Sequence, residues 1–209
     1  MDFGQKVSIF RDEQHTRQFQ QEGYVVLPLL EATDVAALRA HYEQFHPQGV
    51  KGFYSTTFAP EEAHRQAVDQ TIRQVCTPAI DRYFHDYKAL FSSFIAKAPG
   101  ADSALAMHQD MTLLDETVYT GTNIWCPLID LNEQNGAIAV LPRSHRLFFT
   151  YRGATLPDIY DGEVERLLPL MKPFHLKAGE AIVFDQSIIH WSPPNLSEAE
   201  RPVVNTFIA

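Results

Sequence analysis

The pattern of apolar residues changes near residue 88, and this change limits the folds open to the chain. Before it, apolar residues such as Val35, Leu38 and Tyr42 recur at the spacing of a helix that packs on one face. After it, short alternating segments such as residues 90–98 are separated by turn residues such as Pro99-Gly100. Many short strands of this kind predict a sandwich or jelly roll. The expected fold class is α+β and mainly β, with a double-stranded β-helix (jelly roll, cupin-like) core flanked by N-terminal helices.

The same patterns predict the individual elements. The first helix covers residues 13–22 and ends at Gly23, a frequent helix stop. The second has Thr33 as its cap, and the third covers residues 61–76 and breaks at Thr77-Pro78, where another begins. The predicted strands are residues 24–27, 90–98, 105–111, 122–129, 137–141, 174–176, 181–184, 187–191 and 203–208. Asn135-Gly136 predicts a hairpin turn before the strand at 137–141.

Composition limits the partners and the compartment. At 209 residues the chain is expected to be a single domain, helix-rich over 1–88 with the jelly-roll core over 89–209. The formal net charge is -9 without a Lys/Arg cluster, so nucleic acid and anionic membranes are not expected partners. No apolar run of membrane-spanning length or of a signal peptide is visible. Cys76 and Cys126 lack metal or redox spacing, which favours reduced, buried thiols in the cytoplasm.

A histidine and an aspartate two residues apart occur in the predicted strand at 105–111, as His108-Gln109-Asp110. In a strand this spacing places both side chains on one face. Two histidines and one carboxylate with open positions are typical of non-haem Fe(II) oxygenases, although a three-residue pattern is common by chance. His190 is the candidate third ligand because it follows an apolar run at a predicted strand end. The alternative for His190 is a histidine whose ring bonds a backbone carbonyl.

An arginine near the end of the chain is a candidate anion anchor. Arg201 lies eleven residues after His190, where the last predicted strand begins. A guanidinium at this place could pair bidentately with a dicarboxylic cosubstrate. The alternative for Arg201 is a surface charge near Glu198 and Glu200.

Together these residues resemble a known family. The set His108-x-Asp110, His190, Ser192 and Arg201 resembles the phytanoyl-CoA dioxygenase family, whose members are Fe(II)- and 2-oxoglutarate-dependent oxygenases. Further segments that resemble the family are residues 19–28, Trp125-Cys126-Pro127-Leu128, Asn135-Gly136, Leu141-Pro142-Arg143-Ser144-His145 and Ala178-Gly179-Glu180-Ala181. The resemblance covers nearly the whole chain.

The resemblance implies a reaction and a role for each residue. The implied Fe(II) ligands are His108, Asp110 and His190. Arg201 and Ser192 would hold the distal carboxylate of 2-oxoglutarate, and Trp125 matches a position that lines the cosubstrate pocket in relatives. The implied reaction uses O2, hydroxylates an unactivated C–H bond of a small molecule, and releases succinate and CO2.

Three positions qualify this assignment. Lys97 lies eleven residues before His108 on the neighbouring predicted strand and is a candidate for the same pocket, with an edge lysine as the alternative. Arg143 stands where relatives often have glycine, so the turn differs or the arginine joins the site. Asp110 occupies a position that halogenating relatives fill with a small residue, which disfavours halogenation.

Candidate substrate contacts lie in two long loop segments, residues 49–58 and 147–161. Tyr54, Phe148 and Tyr151 are aromatic candidates. Arg152 suits a carboxylate or a phosphate, with a solvated loop charge as its alternative. Glu116 could bind an amine but is expected to face solvent.

Two other functions stay open from the sequence. One is a cupin-like metalloenzyme that does not use 2-oxoglutarate. The other is a jelly-roll binding protein that has lost its activity, although the complete set of candidate ligands disfavours it.

Overall fold

The computed structural model describes residues 9–147, 151–153 and 160–209. The described helices are α1 (Glu13–Glu22), α2 (Ala32–Phe45), α3 (Glu62–Ile80) and α4 (Val164–Leu167). The described strands are β1 (Tyr24–Pro28), β2 (Phe53–Ser55), β3 (Ala89–Lys97), β4 (Leu105–His108), β5 (Thr122–Pro127), β6 (Ala139–Val140), β7 (Lys172–Pro173), β8 (Glu180–Asp185), β9 (His190–Ser192) and β10 (Arg201–Ile208). Phe148 and much of the candidate loop at 147–161 lie outside the described residues.

The described strands form two antiparallel sheets. The larger has the order β1-β8-β5-β10-β3-β2, and the smaller has the order β4-β9-β6-β7. Strands that follow each other in sequence, such as β3, β4 and β5, lie in different sheets, so the chain passes repeatedly between them. This connectivity is that of a jelly roll, which confirms the predicted fold class. β1 and β2, which come from the helix-rich part of the sequence, form the two ends of the larger sheet.

Local capping explains where the first two helices begin and end. The carboxylate of Asp12 accepts from the backbone N–H of Gln14 at 2.6 Å and starts α1, while Gly23 ends it at φ 83°, a left-handed conformation that glycine adopts without strain. The predicted cap of α2 at Thr33 is wrong. A capping box between Glu31 and Asp34 starts the helix two residues earlier.

The third helix continues through its proline. Sequence predicts a break at Thr77-Pro78, but α3 runs to Ile80. Pro78 lies in the last turn, where the backbone N–H of Asp81 still donates to the Thr77 carbonyl at 2.9 Å. Ile80 is 2% exposed, so packing of this turn on the core outweighs the hydrogen bond that proline lacks. Among the helices described, none has both the length and the apolar character needed to cross a membrane.

The larger sheet has an outer face towards the helices and an inner face towards the smaller sheet. Successive side chains along β10 point alternately to the outer face and to the inner face. Val204 belongs to the buried cluster that includes Leu38 of α2 and Ile72 of α3. Its neighbour Val203 belongs to a second cluster with Val140 of the smaller sheet. Full burial of each such side chain contributes about 1.5–3 kcal/mol.

Four residue pairs line up between β10 and β3 on the inner face, and we call them the inner rows. They are Arg201 with Lys97, Val203 with Ile95, Asn205 with Ser93, and Phe207 with Phe91. Successive rows are two residues apart along a strand, which is about 6.8 Å. The inner face therefore changes along its length from basic to apolar, then to neutral polar, and finally to aromatic.

Two predicted elements near the site differ in the structure. The strand expected at 105–111 ends at His108, so Asp110 lies in the loop that follows β4. The hairpin expected at Asn135-Gly136 is wrong, because β5 belongs to the larger sheet and β6 to the smaller one. Gly136 has the positive φ, 75°, that a tight turn requires, but this turn joins two sheets.

Candidate metal centre and cosubstrate cavity

Two neighbouring strands of the smaller sheet bring two histidines together. His108 is the last residue of β4 and His190 is the first residue of β9, and the strand register places them opposite each other. Their ring centroids lie 4.2 Å apart. Two side chains that are distant in sequence therefore face the same point.

Asp110 reaches this point from the loop after β4. Its backbone N–H donates to the Gln186 carbonyl at 3.1 Å, which holds the loop in place. Its carboxylate Oδ1 lies 3.7 Å from His108 Nε2 and 3.9 Å from His190 Nε2. One ligand atom from each of the three residues lies within 4.8 Å of the other two. Two imidazole nitrogens and one carboxylate oxygen at this spacing fit a single divalent ion with open positions.

Backbone carbonyls orient both imidazoles. His108 Nδ1 lies 2.7 Å from the Ala106 carbonyl oxygen, and His190 Nδ1 lies 3.0 Å from that of Ile188. A carbonyl oxygen only accepts, so each Nδ1 carries the proton and each Nε2 keeps its lone pair. Hydrogen bonds of this kind fix the tautomer of metal-ligating histidines. His190 therefore does bond a backbone carbonyl, as the alternative interpretation expected. It does so through Nδ1, so Nε2 remains available to bind a metal.

The three candidate ligands differ in burial. The His190 side chain is 7% exposed and packs on Phe184, whose ring centroid is 4.9 Å away. His108 and Asp110 side chains are 27% and 30% exposed. Burial lowers the pKa of His190 to about 4, the nearby His108 adds to this effect, and Asp110 opposes it. His190 is therefore neutral at neutral pH, which is the form that binds metals.

Two asparagines hold the carboxylate of Asp110. Asn123 Nδ2 donates to Asp110 Oδ2 at 2.7 Å, and Asn205 Nδ2 donates to Asn123 Oδ1 at 2.9 Å. A carboxylate only accepts, so Asn123 must present its NH2 group to Asp110 and its oxygen to Asn205. This asparagine relay occupies Oδ2 and leaves Oδ1 facing the histidines.

The candidate ligands face a cavity of about 560 Å³ between the two sheets. This volume lies within the range of about 300–1,000 Å³ that is usual for small-molecule sites. Trp125, Ser192 and Arg201 also line the cavity.

Arg201 is a buried cation without a full set of partners. It is 1% exposed, and its Nε and Nη1 have no hydrogen-bond partner. Its guanidinium carbon lies 5.2 Å from the centroid of the Trp125 ring. Burial lowers the pKa of Arg201 to about 9. Burying a charge is costly unless it is paired, so the cavity has the chemistry to attract an anion beside the candidate metal centre.

A sequence model described as phytanoyl-CoA dioxygenase (PhyH) matches residues 19–203, a range that contains all three candidate ligands and Arg201. The chain belongs to the phytanoyl-CoA dioxygenase family. The resemblance predicted from the sequence motifs is thereby confirmed.

Curated members of the family are similar to about half of this chain. Phytanoyl-CoA dioxygenase 1 of Oryza sativa subsp. japonica is 28% identical over 122 residues, which are 56% of this chain and 43% of the relative. Phytanoyl-CoA dioxygenase domain-containing protein 1 of Danio rerio is 30% identical over 122 residues, which are 54% and 42% of the two chains. The match therefore spans less than half of the length of these relatives.

Solved structures share the fold over nearly the whole chain. The non-haem alpha-ketoglutarate-dependent carbocyclase SnoK from nogalamycin biosynthesis has a TM-score of 0.67 at 18% identity and covers 94% of this chain and 83% of its own. EvdO2 from Micromonospora carbonacea var. aurantiaca, solved with 2-oxoglutarate, has a TM-score of 0.63 at 18% identity and covers 98% and 94%. HygX from Streptomyces hygroscopicus, solved with nickel and 2-oxoglutarate, has a TM-score of 0.63 at 16% identity and covers 95% and 87%.

Of the residues that were predicted to contact the cosubstrate, Lys97 lies apart. Ser192 and Trp125 line the cavity with Arg201, but Lys97 is not among the lining residues. It is fully buried, and its Nζ donates to the Ser192 carbonyl at 2.8 Å and to the Pro193 carbonyl at 2.5 Å. Burial lowers the pKa of Lys97 to about 6, and Arg201 adds to the effect. Lys97 therefore supports the cavity wall and is not an exposed edge lysine.

Tyr54, a predicted substrate contact, lies on the other face of its strand. Phe53 and Ser55 line the cavity, so alternation along β2 directs Tyr54 towards the helices. Its hydroxyl lies 3.3 Å from His64 Nε2 on α3. The prediction of a loop at Tyr54 is wrong, because this residue lies in β2, and the direction of its side chain depends on the register of β2 with β3.

Arg152, the predicted anion contact, already has an anion as a partner. Its guanidinium donates to both carboxylate oxygens of Glu116, and its Nε donates to the Asp110 carbonyl at 2.8 Å. The Gln186 side-chain amide also donates to Glu116. Glu116 therefore does not simply face solvent. Together these contacts fasten the loop that carries Asp110.

Arg143, where the sequence departs from the family pattern, has a surface partner. It has φ 69°, a left-handed conformation that glycine adopts more easily than other residues. Its side chain points to α1, where Nη2 lies 2.7 Å from Glu22 Oε1, and it is 68% exposed. The arginine therefore has a surface partner and does not enter the site.

The asparagine relay was not predicted from the sequence. Asn123 lies two residues before Trp125 on β5, and Asn205 lies four residues after Arg201 on β10. Even spacing along a strand places side chains on the same face. The alternation of side chains along a strand, applied from Trp125 and from Arg201, would have placed both asparagines on the cavity face.

Proposed function

We propose that this chain is an Fe(II)- and 2-oxoglutarate-dependent dioxygenase that hydroxylates an unactivated C–H bond of a small molecule. The observation that carries the proposal is Arg201, a buried guanidinium with unpartnered nitrogens in the cavity of the candidate metal centre. A 2-oxo diacid complements both features, because one carboxylate can pair with the guanidinium while the oxo-acid end binds an ion. Membership of the family supports the same function.

The proposed roles follow from the contacts. Fe(II) would be held by Nε2 of His108, Nε2 of His190 and Oδ1 of Asp110, and with O2 and 2-oxoglutarate it would supply a substrate oxidation that releases succinate and CO2. The two backbone carbonyls keep the imidazole protons on Nδ1, so that the lone pairs of Nε2 stay free. Arg201 and Ser192 would hold the distal carboxylate, with Trp125 beside the guanidinium.

Asp110 favours hydroxylation within this chemistry. A carboxylate at this position leaves no room in the ligand set for a halide. Its second oxygen accepts a hydrogen bond from Asn123, which supports a carboxylate that would stay in the ligand set.

The decisive experiment follows the binding of 2-oxoglutarate to the iron-loaded protein without oxygen. Wild type should develop a weak visible charge-transfer band, and aerobic samples with a substrate should form succinate. Asp110→Ala should lose both signals, and Arg201→Met should need far more 2-oxoglutarate to develop the band. Arg17→Met is the matched control, because Arg17 is an exposed residue of α1 that pairs with Glu13. A folded, iron-loaded wild type without the band would refute the proposal.

The two alternatives predict different results in the same assays. A cupin-like metalloenzyme would consume O2 without 2-oxoglutarate, and Arg201→Ala would leave that rate unchanged. An inactive binding protein would fail to bind any divalent metal at micromolar concentration. Neither alternative explains a buried guanidinium beside the candidate ligands.

We also propose that the protein acts in the cytoplasm on a small molecule, without a nucleic-acid partner. Cys76 and Cys126 are buried and unpaired. Burial raises the pKa of each thiol, which keeps both protonated. Free thiols of this kind fit a reducing compartment.

A further inference from the structure

The lining of the cavity indicates which molecules fit beside the cosubstrate. Apart from the three candidate ligands and Arg201, every described lining residue is uncharged. Under the proposed function, on which this inference rests, those four residues serve iron and 2-oxoglutarate. A carboxylate, phosphate or ammonium group of the substrate would therefore lose its hydration without gaining a counter-charge from the described wall.

The end of the cavity furthest from Arg201 along the inner rows is aromatic. The rings of Phe91 and Phe207 are stacked, with centroids 5.3 Å apart and planes at 10°. Phe58 also lines the cavity and is 70% exposed, whereas Phe53 pairs with Lys97 and lies at the level of Arg201. Flat ring systems pack favourably on such aromatic surfaces.

Two neutral polar residues lie one inner row away from this aromatic end, and each has an oxygen without a partner. Ser93 and Asn205 are opposite each other on β3 and β10, and both line the cavity. They are 1% and 6% exposed, and Ser93 Oγ and Asn205 Oδ1 have no hydrogen-bond partner. Burying such atoms without a partner is costly, so this row has the chemistry to bind a polar group of a ligand.

The hydrogen bonds of the asparagine relay determine whether the polar group of the ligand must donate or accept a hydrogen bond. Asp110 needs a donor from Asn123, and Asn123 therefore needs a donor from Asn205. The NH2 group of Asn205 is committed to this relay, so its Oδ1 offers an acceptor to the cavity. A matching ligand group must donate a hydrogen bond.

We propose that the substrate is a neutral, largely apolar molecule with a flat ring system that carries a hydroxyl or another neutral hydrogen-bond donor. The ring packs on Phe91 and Phe207. The donor binds Asn205 Oδ1 next to the Ser93 hydroxyl. Two hydrogen bonds, through Asn123, connect Asn205 to Asp110. This contact holds the molecule against the candidate metal centre while its apolar part fills the remaining cavity.

Three naphthalene derivatives that differ only in the group at position 2 separate the features of this proposal. 2-Naphthol has a neutral donor, 2-methoxynaphthalene lacks the donor, and 2-naphthoate carries a charge. Their binding is measured by calorimetry on protein loaded with redox-inert Ni(II) and saturated with 2-oxoglutarate. 2-Naphthol should bind about tenfold more tightly than either of the other two, since each of them leaves the buried acceptor unsatisfied.

Matched serine variants locate the contact. Ser93→Ala removes the hydroxyl in the cavity and should reduce the preference for 2-naphthol over 2-methoxynaphthalene by about threefold. Ser92→Ala is the control, because Ser92 is the adjacent residue on the opposite face, where its Oγ lies 3.1 Å from Thr206 Oγ1. The control should keep the full preference. Asn205→Leu, where it folds, should abolish the preference.

The outcomes distinguish this inference from the proposed function. Equal binding of the three probes, tighter binding of 2-naphthoate, or equal effects of the two serine variants would overturn the substrate class. Failure of 2-oxoglutarate to bind in a parallel titration would overturn the proposed function instead. In that case the comparison of 2-naphthol with 2-methoxynaphthalene on the Ni(II) protein alone still tests the contact with Asn205.

Discussion

Replacing Arg201 by methionine should stabilise the protein without ligands and weaken its response to 2-oxoglutarate. Arg201 is 1% exposed and leaves Nε and Nη1 without a hydrogen-bond partner. Burial disfavours the charged form and so lowers the pKa of Arg201. Methionine has a similar length and no polar group to satisfy.

The expected gain follows from these contacts. Two buried donors without partners cost roughly 2–6 kcal/mol. Loss of the contact with the Trp125 ring, 5.2 Å from the guanidinium carbon, offsets about 0.5–2 kcal/mol of that gain. The free energy of unfolding should rise by about 1–4 kcal/mol, the range found when buried ions are replaced by apolar residues.

Binding of 2-oxoglutarate, in contrast, should stabilise the wild type more than the variant. At a hundredfold excess over its dissociation constant, 2-oxoglutarate stabilises a protein that binds it by about 2.7 kcal/mol. The variant loses charge-assisted hydrogen bonds worth about 1.5–3 kcal/mol each, so its dissociation constant should rise at least about tenfold. At the same concentration a variant with a tenfold higher dissociation constant gains only about 1.4 kcal/mol, so the cosubstrate should reduce the stability difference between wild type and variant.

The assay is urea unfolding followed by circular dichroism, with and without 2-oxoglutarate and Ni(II). Arg17→Met is the control. Arg17 is exposed on α1, so its replacement should change stability by less than about 0.5 kcal/mol and keep the full ligand shift. A less stable Arg201→Met protein without ligands, or one that keeps the wild-type ligand shift, would refute this reasoning.

Three further predictions concern the surroundings of the site. Asn123→Leu releases Asp110 and should weaken the binding of a divalent ion by about 10–100-fold in a titration. Burial lowers the pKa of Lys97 from 10.5 to about 6, so the unfolded chain binds more protons between these values and wild-type stability should rise with pH there; Lys97→Met should flatten that slope in urea unfolding. Arg152→Met removes the counter-charge of Glu116 and leaves it the Gln186 amide as a hydrogen-bond donor. This variant should cost about 1–3 kcal/mol in urea unfolding, and adding Glu116→Gln should recover part of this loss.

Each of these has a clear contrary result. An unchanged metal affinity in Asn123→Leu would mean that the relay does not position the carboxylate. A pH slope that persists in Lys97→Met would belong to another group. Strictly additive effects of the substitutions at Arg152 and Glu116 would mean that the two side chains are not coupled.

Short sequence patterns predicted the ligand candidates, but for a reason that the fold modifies. The spacing of His108 and Asp110 suggested one strand face, whereas β4 ends at His108. A hydrogen bond from the Asp110 backbone to Gln186 positions the carboxylate instead, and Gln186 is remote in sequence. Spacing identified the residues because loop and strand both keep them close, and it carried no information about the distant contact.

Elements that depend on distant partners were the ones that sequence patterns missed. Asn135-Gly136 predicted a turn, and Gly136 does have positive φ, but a local pattern cannot tell which sheet each flanking strand joins. Pro78 predicted a break that burial of Ile80 overrides. The pairing of Arg152 with Glu116 depends on how two loops meet. Periodicity predicted the fold class well because it depends on which faces are apolar.

Because of the positions of His108 and His190, a bound ion would cross-link two strands of the smaller sheet. The two residues face each other on β4 and β9, but an ion bound to both closes a loop of roughly 80 residues, as a disulfide would. β4 is one of the two edge strands of the smaller sheet, with β9 as its neighbour among the described strands. Removal of the ion by a chelator would thus remove a reversible cross-link. β4 should then be the first part of the smaller sheet to exchange its amide protons.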